Sequence, residues 1–136
     1  MERESSLSDL IDELLKSAED RLDAAEILLS KGKLVDAVNR TYAAFNAAKA
    51  LLNSMGKDPK THSGLISEFG LHVVNANVLP KKHGVTLRRS FEARESGDYT
   101  VAAEFDESEV RALISDVKEL IGACRKAASE QLKDGG

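Results

Sequence analysis

A chain of 136 residues can bury one real core and is short for two domains. Hydrophobic residues at 42% exclude disorder, no apolar run nears the roughly 18 residues of a membrane span, and MERESSLSD has no signal-peptide core. A net charge of −4 argues against indiscriminate nucleic-acid binding, and a lone Cys124 excludes an internal disulfide, so a soluble cytoplasmic protein without membrane contact is expected.

The spacing of apolar residues predicts helices in turn. Leu7, Ile11, Leu14, Leu15, Ala18, Leu22, Ala25 and Leu29 recur at three and four residues, the period of one helix face, with Ser6–Asp9 as a capping box and Gly32 as the stop. A second helix is predicted over 34–55, with Val38, Tyr42, Phe45, Ala48, Leu52 and Met55 on its stripe and Gly56 ending it. After the GKDPK loop, Thr61 caps a shorter third helix carrying His62, Leu65, Phe69 and Val73, whose Gly64 and Gly70 allow close approach of a neighbour. NANVLP reads as a turn, Pro80 opens a fourth helix that reaches Ser96 and stops at Gly97, and DYTVAAEFD is a connector. Asp106 with Glu109 then caps a last helix bearing Val110, Leu113, Ile114, Val117, Leu120, Ile121 and Cys124. With no alternating strand pattern, the expectation is an all-α, five-helix up-and-down bundle: one domain over 1–136, its core over about 6–132, and the first and last helices the longest or nearly so.

Charge is unevenly spread. Seven basic and three acidic residues lie between Lys57 and Arg94, against twelve and twenty elsewhere, so the middle of the chain suits an anionic ligand. On the fourth helix Leu87, Phe91 and Arg94 stand at i, i+4 and i+7, so Arg94 continues the apolar stripe. A guanidinium there must be paired or must face a cleft, because an unpaired buried charge is costly. A structural Arg94–Asp98 pair across the helix end is the simpler account of the spacing, and a ligand site is the other. On the second helix Tyr42, Asn46 and Lys49 border the stripe, with Arg40 half a turn before; each taken singly reads as a core tyrosine or a snorkelling lysine. His62, His72 and His83 lack the spacing of a helical zinc site, so neither metal nor cofactor is expected, and Cys124 reads as a small core residue.

Three blocks add a resemblance. AVNRTYAAFNAAKALL is similar to the second-helix signature of HEPN domains (higher eukaryotes and prokaryotes nucleotide-binding), and KTHSGLISEFGLHVV followed by LRRSFEARESGDY resembles later blocks of a prokaryotic subfamily, in order. The likeness covers about residues 8–125. It implies a helical bundle that dimerises, often acts with a minimal nucleotidyltransferase in a toxin–antitoxin pair, and binds nucleotide or RNA. Active members carry an Arg followed four to six residues later by His, commonly with a nearby Tyr, and pair two copies into a metal-independent endoribonuclease site. Arg94 resembles that arginine, but Glu95, Ser96, Gly97, Asp98 and Tyr99 follow it, with no histidine. A carboxylate in its place would repel phosphate, so the resemblance implies a binding module more than a nuclease. The alternatives are an endoribonuclease toxin with a degenerate motif and a purely structural helical dimer. The residues it marks are Arg94, Asp98, Tyr99 and His62 for any chemistry, and Arg94, Tyr42, Arg40, Lys49 and Arg89 for a ligand, converging on one groove.

Overall fold

A computed structural model describes residues 2–99 and 105–135, and the side chains of 6–94 and 105–133. Helices α1 (Glu2–Ser30), α2 (Leu34–Arg40), α3 (Ala43–Ser54), α4 (His62–Phe69), α5 (Lys81–Tyr99) and α6 (Glu107–Gly135) follow one another, with no strand among the described residues. Taking α2–α3 as one broken helix and α4 with the π-helical turn Gly70–Val74 as one element gives the expected five-helix, all-α bundle. At 29 residues each, α1 and α6 are the longest. They run antiparallel: Glu19 meets Arg125, and Ile11 and Leu15 share a groove with Ala128 and Leu132.

α3 sits at the centre, packed against α1 on one side and α6 on the other. Its sequence explains why. Ala43, Ala44, Ala47, Ala48 and Ala50 are all fully buried, and small side chains let neighbouring helix axes approach closely. The stripes of α1 from Ile11 to Leu29 and of α6 from Val110 to Cys124 close over it. Leu7, expected on the α1 stripe, is 37% exposed, because it lies near the helix start where less of the bundle covers it.

Four boundaries differ from those the sequence suggests. Ser6 and Asp9 do not begin α1, which already runs from Glu2, since ERES holds no Gly or Pro to stop it. The helix expected over 34–55 breaks at Thr41–Tyr42. There the fully buried Thr41 donates its hydroxyl to the Val38 carbonyl at 2.6 Å, while backbone bonds run from Thr41 to Val38 and from Ala44 to Thr41 in the tighter three-residue pattern. The third helix opens as expected, with the Thr61 hydroxyl accepting from the Gly64 amide at 2.9 Å, but finishes in a π turn closed by Asn75 to Gly70. Leu65, Phe69 and Val73 are four apart and all buried, a spacing that an under-wound helix keeps on one face. Finally, α5 continues through Gly97 to Tyr99, since a helical glycine costs about 1 kcal/mol without forbidding the helix. Gly32, Gly56 and Asn77 take positive φ where the sequence places stops and a turn. At the start of α6, the Asp106 carboxylate caps by accepting from Ser108 at 3.0 Å.

Candidate functional site

The break between α2 and α3 puts Tyr42 at the head of α3, where its ring stacks on Phe45 one turn later, centroids 4.5 Å apart. Phe91 of α5 also stacks on Phe45, at 5.8 Å. His62, the first residue of α4, stands edge-on to Tyr42, Phe45 and Phe91 at 5.1, 5.3 and 5.9 Å. The Tyr42 hydroxyl and His62 Nε2 share a hydrogen bond, with the donor set by the imidazole tautomer. Three separate elements thus meet in one aromatic cluster.

Arg94 completes it. Leu87 is buried and Phe91 half-buried, so the α5 stripe carries the Arg94 stem along apolar surface and delivers the guanidinium over the Tyr42 ring, 4.3 Å from its centroid. Among the described residues no carboxylate lies within 4.0 Å of this guanidinium. Asp98 and Tyr99 belong to the α5 backbone, and their side chains lie outside the described residues.

Tyr42 and Arg94 also line a cleft of about 550 Å³ with Arg40, Asn39 and Asp36 of α2 and Arg21 and Leu28 of α1. Among the described residues, three arginines therefore face one carboxylate. The Arg21 Nε donates to Ser17 Oγ at 3.3 Å, and neither Arg21 nor Arg40 has an ion-pair partner among the described residues. In the wall of the cleft, the Asn39 side-chain carbonyl oxygen is buried without a donor among the described residues.

Of the residues singled out in the sequence, Arg94, Tyr42 and Arg40 share the cleft, and His62 joins through Tyr42. Lys49 and Arg89 are engaged elsewhere: Lys49 Nζ is 4.0 Å from Asp58, and Arg89 donates to Asp116 of α6 at 2.9 Å. Asn46 donates to Ser17 at 3.2 Å and ties α3 to α1. Arg21 and Asn39 escape sequence reading. Arg21 follows Ser17 by four residues on the polar flank of α1, a pattern that every solvated helix face shows. Among the described residues no three His, Cys, Asp or Glu side chains could hold a metal ion, and no helix is long and apolar enough to cross a membrane.

The HEPN domain model matches residues 11–127. This chain belongs to the HEPN domain family. The "Putative toxin MJ0605" of Methanocaldococcus jannaschii is 36% identical over 123 residues, 90% of this chain and 91% of the relative. A UPF0332 protein of Thermotoga maritima is 35% identical over 82% of this chain and 85% of its own length. A second Methanocaldococcus jannaschii protein, "Putative toxin MJ0142", is 29% identical over 76% and 71%. In this HEPN domain the arginine that resembles the family motif stands on Tyr42. The histidine bonded to that tyrosine, His62, comes from α4 and precedes Arg94 in the chain.

Proposed function

We propose that this HEPN domain binds a phosphate-bearing ligand, a nucleotide or RNA, in the cleft at Arg94, as the toxin-type member of a pair with a minimal nucleotidyltransferase. One observation carries the reading: the Arg94 guanidinium is held against the Tyr42 ring beside a cleft with two more arginines and without a carboxylate partner among the described residues. Contact with the ring face positions the guanidinium and leaves N–H donors for a planar or tetrahedral anion. Two relatives named "Putative toxin" support the toxin-type reading, while the nucleotidyltransferase pairing and the homodimer rest on the family resemblance alone. Two Arg94 side chains brought together would repel each other unless an anion lay between them.

The test is a titration of the purified protein with nucleotides and short RNA at low salt. Arg94→Ala is expected to weaken binding by about 1.5–3 kcal/mol, the scale of a hydrogen bond to a charged group. Unchanged affinity, or no binding by the wild type, would leave only a structural helical domain. Light scattering with and without the ligand decides the dimer. A second reading, residual RNA cleavage, draws on the Tyr42–His62 hydrogen bond, since an imidazole near a bound phosphodiester is the usual carrier of the 2′-hydroxyl proton. RNA left intact by the wild type over hours, under conditions where it is bound, would dismiss cleavage and keep binding.

A further inference from the structure

The cleft is larger than one phosphate requires. At about 550 Å³ it falls within the size range of sites for whole small ligands, and its cations come from three elements: Arg94 from α5, Arg40 from α2 and Arg21 from α1. Among the described residues only Arg94 is held by an aromatic ring. Arg21 and Arg40 are exposed and lie next to a second cleft of about 510 Å³ along α1, which both also line together with Lys16. They therefore stand where the two clefts join. Unmatched by carboxylates within ion-pair distance among the described residues, guanidiniums in a concave wall repel one another, and a second anionic group offsets that repulsion.

We infer that Arg21 and Arg40 form a second phosphate subsite, so that the cleft takes a ligand with two phosphates: one at Arg94 and one at the α1–α2 wall. This deepens the phosphate-binding reading above and rests on it. The ligand could carry its phosphates adjacent, as in a nucleoside diphosphate, or one nucleoside apart, as in a strand, and both present the same anions to the same forks. Among the described residues Asp36 is the one carboxylate lining this cleft, and it sets the limit. A third phosphate placed against it would be repelled.

Isothermal titration of the full chain with AMP, ADP and the 5′-phosphorylated dinucleotide pApA tests the assignment. ADP or pApA is expected to bind at least about tenfold more tightly than AMP, the gain of one charge-assisted contact. In the double variant Arg21→Gln/Arg40→Gln that advantage is expected to vanish, leaving ADP and pApA within about twofold of AMP measured on the same variant. A gain for ADP alone identifies adjacent phosphates, and a gain for pApA alone identifies a strand; each supports the subsite. Equal affinity for all three probes overturns it and leaves the Arg94 reading standing, as does a double variant that keeps the full advantage. No binding of any probe, or AMP binding unaffected by Arg94→Ala, overturns both. Both arginines are exposed, so melting curves of the double variant are expected to match the wild type and make its affinities interpretable.

Discussion

Tyr42 presents a ring face to Arg94 and a hydroxyl to His62, and these contacts can be separated chemically. Tyr42→Phe keeps the ring and removes the hydroxyl. Its cost is expected near that of one hydrogen bond, about 0.5–1.5 kcal/mol by urea denaturation, with phosphate binding retained. A double cycle with His62→Ala isolates the pair, and zero coupling would mean the bond contributes nothing. Two buried groups away from the cleft give sharper signs. Burial pushes the Cys124 thiol up to about 12, so it is expected to resist thiol reagents at pH 8 until the protein unfolds. His83 is held below the ordinary imidazole value of 6.5, by burial first and by Lys82 second, against the opposing pull of Glu119 and Asp116. The unfolded chain then binds the proton more readily. His83 therefore leaves stability intact above about pH 6.5 and subtracts from it as pH falls below that value toward its folded pKa. Replacing it by Gln is expected to flatten that part of the melting-temperature profile; an identical acid limb in both proteins would refute the assignment.

At the scale of the element, α4 matters because its first residue is His62. A helical Gly→Ala change ordinarily stabilises by up to about 1 kcal/mol. At Gly64 the sign is expected to reverse, because a Cβ there would stand 2.8 Å from the Thr61 hydroxyl that caps the helix. Removing that hydroxyl in Thr61→Ala costs about 1 kcal/mol and clears the space. Gly64→Ala is thus expected to destabilise the wild type and to stabilise the Thr61→Ala background; the same sign in both, measured by chemical denaturation, would contradict the geometry. The Thr61 cap was readable from sequence because capping is local, and so were the α1 and α6 stripes, which repeat over many turns. The break at Thr41 was not. A threonine inside an apolar helical pattern says nothing of whether its hydroxyl will bond backward to Val38, since packing of α2 against α1 and α5 decides that. The π turn at Gly70 and the passage of α5 through Gly97 are hidden for the same reason: local propensity permits more than one outcome.

On the scale of the whole molecule, charge works against loose binding. The chain carries −4 overall, and its arginine cleft is a local exception joined to a wall that also holds Glu13 and Asp20. The meeting of Arg94, Tyr42 and His62 comes from three distant stretches of sequence, so spacing could nominate each residue but could not bring them together. Arg21 enters only because α1 packs beside α2. If binding is confined to this cleft, its salt dependence must be shallow. Each phosphate neutralised on a single strand contributes a slope of about −0.7 in log K against log salt concentration, so two subsites predict about −1.4. The Arg21→Gln/Arg40→Gln variant is expected to fall to about −0.7, one phosphate remaining at Arg94. Anisotropy titrations of a labelled single-stranded oligonucleotide across a salt series measure both. A wild-type slope steeper than about −3 would mean that four or more phosphates are engaged, spreading the contact over a surface that the acidic residues around the cleft should repel.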